Sequence, residues 1–323
     1  MEKFKFITHD IRNPYFNLAS EEYLLKGTDG YYFYLWINDP AVIVGVNQNA
    51  IEEVNQGYVN QNGIKVVRRL TGGGAVYHDG GNLCYTVIAP YNPNENGYLK
   101  FTAPVIEYLN QLGVNACFGG RNDILVDGKK ISGNAQTVYN GRVMHHGTLL
   151  FDTDTNVLTS ALNPNKLKMQ SKDIKSVRSR VVNLKEYLPD FTVGKLKDGL
   201  KEKFLTVADN YEFNQVDINA IEKLVAEKYS RYEWNIGRSP KGKNALNKKF
   251  PFGIITLTFD TNNGVIENAQ IHGDFFSLKE LSPLENALNG VKFEKESVCA
   301  ALKNVDEYIS GADSITIANA LFE

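Results

Sequence analysis

Apolar positions recur at helical spacing along NPYFNLASEEYLL, where Phe16, Ala19, Tyr23 and Leu24 fall on one face. Asn13 can cap this helix, and Pro14 suits its first turn, where a missing N–H costs nothing. YYFYLWI and AVIVGV are dense β-branched and aromatic runs split by Asn38-Asp39-Pro40, a pattern that predicts a pair of strands. KVVRRL and NLCYTVIAP predict two more, flanking TGGGAVYHDGG. Val105, Ile106, Leu109 and Leu112 mark a further helix that Gly113 can end. DILV and KKISGNAQTV are joined by Asp127-Gly128, and RVMHHGTLLFD follows Asn140-Gly141. Both dipeptides tolerate positive φ and so predict tight antiparallel turns.

The pattern changes in the second half. Residues 158–211 read as helical and locally basic, with Lys166, Lys168, Lys172, Lys175, Arg178 and Arg180. IGRSPKGKNALNKK, 236–249, has the composition of a linker or mobile segment. GIITLTFD and VIENAQIHG then form a hairpin across Asn263-Gly264, followed by helical SPLENALNG and VCAALKNVDEYI. Hairpins mixed with helices predict an α+β class rather than regular βαβ alternation. The length of 323 residues predicts about two domains. These are a larger unit over 1–245 and a small α+β unit over 246–323.

Composition removes several function classes. Lys and Arg total 35 against 37 Asp and Glu, for a net charge of -2. That is no footprint for wholesale nucleic-acid binding, which needs a positive excess. Hydrophobic residues make up 43% and charged residues 22%, in the range of a packed globular chain. No run reaches the ~18 apolar residues of a membrane span, and the N-terminus lacks a signal-peptide stretch. Cys84, Cys117 and Cys299 are odd in number and show no metal-ligand spacing. A cytoplasmic protein with no membrane partner is the expectation.

Four stretches carry candidate chemistry. In RRLTGGGAVYHDGGN, Arg68 to Asn82, three successive glycines let backbone N–H groups approach a ligand and form an anion-binding concavity. Arg68 and Arg69 precede it and could pair with phosphate or carboxylate oxygens. No G-K-[ST] follows, so this is not a Walker loop, and the dinucleotide fingerprint is also missing. In GKKISGNAQ, Lys130 stands on a strand beside Ser132 and Gly133. In GGRNDI, Asp123 follows Asn122 and could take a magnesium ion carried by a nucleotide. In MHHGTLLFD, the adjacent His145 and His146 point to opposite faces of a strand, so at most one faces a given pocket.

Together and in this order, NPYFNLASEEYL, RRLTGGGAVYHDGGN, GRNDI, GKKISGNAQ, HHGTLLFDTD, SVRSRVVNL and YEWNIG resemble the lipoate–protein ligase family over nearly the whole chain. The resemblance implies a biotin/lipoate ligase-like catalytic domain, with mixed and antiparallel sheets and packed helices, plus an accessory domain. It implies that ATP and lipoate form lipoyl-AMP with Mg2+. The lipoyl group then passes to a lysine of a lipoyl domain, on a 2-oxoacid dehydrogenase acyltransferase subunit or the glycine cleavage H protein. Carried over by position, Arg69, Gly74, Ala75, Val76, Tyr77, Asn82, Asn122 and Lys130 would hold ATP. Lys130, Arg69, Gly73 and His146 would hold lipoate, Asp123 would hold the metal, and Lys130 would be catalytic. Two rivals share the site: an ATP-independent octanoyl or lipoyl transferase with Cys117 as nucleophile, and a non-catalytic lipoate binder.

Overall fold

Asn13 caps helix α1, Pro14–Lys26, by accepting the Tyr15 N–H at 3.1 Å, with Pro14 in the first turn. The computed structural model describes residues 3–163, 181–237 and 244–322. Helix α1 is covered nearly all round. Phe16, Leu18, Leu24 and Leu25 join one core, and Glu21 and Glu22 are buried as well. One amphipathic face was the sequence expectation. The second face is buried because the helix lies between the main sheet and the helix Gln215–Leu224.

The main sheet has eight strands. In chain order they are β1 (Phe4–Thr8), β2 (Tyr32–Ile37), β6 (Asn82–Pro90), β7 (Ala116–Gly119), β8 (Asp123–Val126), β9 (Lys129–Tyr139), β10 (Arg142–Leu150) and β11 (Ala208–Asn210). Their spatial order is β11-β1-β2-β6-β10-β9-β8-β7. β1 runs parallel to both neighbours, and the other pairings are antiparallel. A three-stranded sheet holds β3 (Ala41–Val44) between β4 (Lys65–Arg68) and β5 (Val76–His78). The helices Gly97–Gln111 and Val193–Leu205 pack on the main sheet through Val105, Leu109, Leu196 and Leu200.

The hairpin turns form as their dipeptides predict. Asp127-Gly128, Asn140-Gly141 and Asn263-Gly264 all have positive φ. β2 and β3 are strands but do not pair with each other. Neither Asn38 nor Asp39 takes the positive φ of a tight turn, and β3 crosses to the smaller sheet. β5 emerges within the loop that separates the expected strands.

The C-terminal part carries the antiparallel sheet β12 (Asn244–Phe250), β13 (Gly253–Asn262) and β14 (Val265–Gly273). The helices Ser282–Leu288, Lys295–Ala301 and Ser314–Phe322 pack on it around Phe275, Leu288 and Ile309. Asn244 to Lys249, expected as linker, is thus an edge strand. Its polar, lysine-bearing sequence fits an exposed edge, where such residues block pairing with other chains. Of the region expected to be helical over 158–211, residues 164–180, including the six basic positions, lie outside the described residues. The rest holds the end of the helix Thr155–Ala161, the helix Val193–Leu205, a short 3-10 turn and β11.

Candidate active site

β6, β10 and β9 lie side by side in the middle of the main sheet, and the glycine loop between β4 and β5 folds over them. Between these elements lies a cavity of about 180 Å³. Its floor is apolar, made by Leu18, Trp36, Ile43 and Cys84. Its rim is polar, made by Arg69, Asn122, Lys130 and His146, with the backbone of Gly73, Gly74, Ala75 and Val76. A larger groove of about 500 Å³ runs between the two sheet systems and includes Lys26, Lys228 and Lys279. The glycine loop and Lys130 converge in the smaller cavity, which makes it the candidate site.

Lys130 sits on β9 with Nζ 2.7 Å from Asp123 Oδ1. Both side chains are about one-third exposed as a whole, although the Asp123 Oδ1 atom that meets Lys130 is itself buried. Gly133 makes room for it: a Cβ there would stand 2.8 Å from Lys130 Nζ. Asn122 is fixed by donating through Nδ2 to the Asn134 carbonyl at 2.7 Å.

The two arginines divide their work. Arg68 is fully buried and donates to the carbonyls of Gly45, Val46, Gln48, Trp234 and Asn235. It ties the short helix Tyr232–Asn235 to the strand ends beneath the loop and has no face toward the cavity. The expectation that it pairs with a ligand anion is therefore corrected. Its position on β4 alternates with that of Arg69, so only one of the two can face the cavity.

Arg69 does line the cavity. It donates through Nε to Thr71 Oγ1 at 2.8 Å, through Nη1 to the Ile43 carbonyl, and through Nη2 to the carbonyls of Gly72 and Gly74. Those bonds use four of the five N–H donors of a guanidinium. Burial lowers its pKa to about 10, and the Glu21 carboxylate opposes that drift, so it remains a cation at neutral pH.

His146 faces the cavity and His145 faces away, as strand alternation requires. His146 Nδ1 lies 2.9 Å from Glu21 Oε1, and its Nε2 lies 2.8 Å from Thr71 Oγ1. His145 packs beside Tyr98 and Phe101 with Nδ1 2.9 Å from Gln136 Nε2, and burial lowers its pKa to about 3. His78 on β5 also lines the cavity, and its pKa is likewise lowered to about 3, by burial first and then by His146 and Arg69.

Some expected residues lie elsewhere. Tyr77 takes the opposite face of β5 from Val76 and His78 and is buried in the cluster with Val42, Val44 and Val59. Asn82 is fully buried, donates to Cys84 Sγ at 3.1 Å, and does not line the cavity. Cys117 is exposed on the edge strand β7 and is not a lining residue either.

Sequence reasoning missed the contribution of the C-terminal part. Phe276 lines the cavity, with the Arg121 guanidinium 4.4 Å from its ring centre. The neighbouring Phe275 carbonyl accepts the Gly73 N–H at 3.0 Å, and the Gly273 N–H donates to the Asn47 carbonyl at 2.7 Å. No local pattern around Phe276 distinguishes it from a core aromatic. Among the described residues no helix is long and apolar enough to cross a membrane.

Comparison with known proteins agrees with this geometry. The family described as the lipoyl protein ligase A/B catalytic domain matches residues 13–205, and the bacterial lipoate protein ligase C-terminus matches 239–321. Lipoate-protein ligase LplJ of Bacillus subtilis is 44% identical over 92% of this chain and 92% of its own. Lipoate–protein ligase 1 of Staphylococcus aureus is 43% identical over 94% and 95%. Among solved structures, P. falciparum LipL1 in complex with lipoate superposes with a TM-score of 0.82 at 27% identity, covering 99% of this chain and 100% of that one. A lipoate-protein ligase A bound with ATP reaches 0.65 at 27%, covering 73% and 99%. A bipartite archaeal ligase from Thermoplasma acidophilum, described with its E2 lipoyl domain, reaches 0.65 at 28%, covering 76% and 100%. With both domain families matched in order and the relatives aligned almost end to end, the chain belongs to the lipoate–protein ligase family, whose members are ATP-dependent enzymes.

Proposed function

We propose that the protein activates lipoate as lipoyl-AMP in the small cavity and then passes the lipoyl group to a lysine of a carrier lipoyl domain. The observation that carries this reading is the cavity's polarity: an apolar floor under a rim of one glycine loop and two cations, Arg69 and Lys130. The floor suits an aliphatic chain with a dithiolane end. The rim suits two anions, a carboxylate and a triphosphate.

In the first step a lipoate carboxylate oxygen attacks the α-phosphorus, and the bond to pyrophosphate breaks. Lys130 would stand between the two anions, offsetting their repulsion and the charge that builds on the phosphoryl oxygens. Asp123 fits a magnesium ion brought by the nucleotide. It is a hard oxygen donor beside Lys130, and such ions need only one or two carboxylates when phosphates supply the rest. When bound, the ion would neutralise phosphate charge. In the second step the carrier's lysine amine attacks the acyl carbon, AMP leaves, and the amine loses a proton.

The closed arrangement shields the adenylate from water, and the carrier then needs access. Phe276 at the cavity and the Phe275–Gly73 contact support a role for the C-terminal unit, 246–323, as a cover over the catalytic unit, 1–245. The cover would move aside after adenylation. Carriers on 2-oxoacid dehydrogenase acyltransferase subunits or the glycine cleavage H protein both present such a lysine.

The test is pyrophosphate release on mixing protein, lipoate and Mg-ATP, followed by mass spectrometry of an added lipoyl domain. Release without lipoate, or lipoyl transfer with no need for ATP, would overturn the reading.

A further inference from the structure

Behind the cavity wall a chain of buried polar groups links Arg69 to a carboxylate that never reaches the ligand space. Glu21 on α1 is almost wholly buried and is not a lining residue. Its Oε1 accepts the Thr86 hydroxyl at 2.6 Å and lies 2.9 Å from His146 Nδ1. The Thr86 oxygen in turn accepts the Trp36 indole N–H at 3.0 Å. Thr71 Oγ1 lies 2.8 Å from His146 Nε2 and accepts Arg69 Nε–H at 2.8 Å.

Donor and acceptor rules set the direction of this chain. A guanidinium nitrogen can only donate, so Thr71 Oγ1 accepts from Arg69. Thr71 is fully buried, and its remaining partner among the described residues is His146 Nε2. Paired in this way the hydroxyl gives its one proton to that nitrogen as acceptor. The imidazole proton then sits on Nδ1 and points to Glu21.

We propose that Glu21, His146 and Thr71 act as a positioning relay that fixes the Arg69 guanidinium, and through it the glycine loop. Glu21 sets the His146 tautomer. That tautomer leaves Nε2 able to hold the Thr71 hydroxyl, and the hydroxyl holds Arg69 Nε. With Nε fixed, Nη2 grips the Gly72 and Gly74 carbonyls, which shapes the loop that would receive the nucleotide. The carboxylate also offsets the charge of the buried guanidinium at a distance. The inference rests on the proposed use of this loop for ATP.

Two experiments separate the relay from that reading. Nitrogen-15 NMR of histidine-labelled protein reports the His146 tautomer without any turnover. The expected result at pH 7.5 is a ring with Nδ1 protonated and Nε2 bare, and a ring protonated at Nε2 would overturn the relay. In the second experiment, Thr71→Val removes the hydroxyl at nearly constant shape, whereas Thr71→Ser keeps it. The expected loss for Thr71→Val is about 10–100-fold in kcat/KM for ATP, the scale of one hydrogen bond to a charged group. Thr71→Ser should stay within about threefold, because its hydroxyl can serve the same two partners. Equal activity of the valine variant and wild type would sink the proposal. Equal loss in both variants would do so too, because it would trace the effect to packing. Wild-type protein that releases no pyrophosphate would refute the functional reading instead, and the NMR result would still decide the relay.

Discussion

Gly72→Ala tests whether the C-terminal unit is held shut by the glycine loop itself. A Cβ at position 72 would stand 2.5 Å from the Phe275 carbonyl oxygen, 2.9 Å from the Ser277 nitrogen and 3.2 Å from the Phe276 Cα. All three are backbone atoms, so no side-chain rotation relieves the clash. Gly72 does not have positive φ, so alanine suits the loop's own backbone. The strain therefore falls on the contact between the two parts of the molecule. Overpacking of this kind costs about 1–3 kcal/mol. Moving the Phe275–Ser277 segment away removes the clash, so the open population should rise by up to the same amount, about 5–150-fold. Hydrogen exchange reads this at two amides that bridge the contact, Gly73 to the Phe275 carbonyl and Gly273 to the Asn47 carbonyl. Both should lose protection by about that factor, while amides in β6 and β10 keep theirs. Gly74→Ala is the control, because its Cβ would meet nothing within 4 Å. Unchanged protection at Gly73 and Gly273 in the Gly72 variant would refute the argument, as would an equal loss in the control.

Four further outcomes are expected. Lys130→Ala should lower the rate of lipoate-dependent pyrophosphate release by about 10²–10³, by analogy with loss of one oxyanion donor. Lys130→Arg should recover little of it, because a planar fork does not replace a compact ammonium; an alanine variant within a few-fold of wild type would remove Lys130 from the chemistry. Arg68→Met should cost at least about 3 kcal/mol in urea unfolding, since it strands buried carbonyls, and a loss under about 1 kcal/mol would show that those carbonyls find other partners. Cys117→Ser should leave lipoyl transfer intact, because that thiol is exposed at a sheet edge away from the cavity; loss of transfer with an acyl thioester on Cys117 would favour the transferase chemistry. His9, His78 and His145 have pKa values lowered by burial to about 4, 3 and 3. Their stabilising contribution is complete above the unfolded value near 6.5 and is lost as pH falls toward those folded values, because the unfolded chain takes up protons first. The unfolding free energy should drop by up to about 1.4 kcal/mol per pH unit for each, and a flat profile between pH 6.5 and 4 would contradict their burial as neutral rings.

Much of the fold was legible because it rests on short-range chemistry. The cap at Asn13, the positive-φ pairs at Asp127-Gly128, Asn140-Gly141 and Asn263-Gly264, and the alternation of strands β8 to β10 are settled by neighbours in sequence. The same alternation separates His145 from His146. The ordered motifs around the glycine loop and Lys130 named the family, because several specific strings recur in one order. What local sequence could not supply were the decisions made by distant segments. β2 and β3 parted into different sheets because β4 and β5 offered β3 partners from beyond the next loop. Arg68 and Arg69 look alike as a dipeptide, yet the helix at Tyr232–Asn235 claims one for structure and leaves the other at the cavity. Phe276 reaches the cavity from about 200 positions beyond the glycine loop, and Glu21 is buried on a helix whose second face is covered only after the chain has folded. Local propensity acts over a few residues, whereas burial and hydrogen-bond partners are assigned by whichever distant elements pack closest. The tertiary structure alone therefore decided which of these polar side chains hold the protein together and which are left facing the cavity.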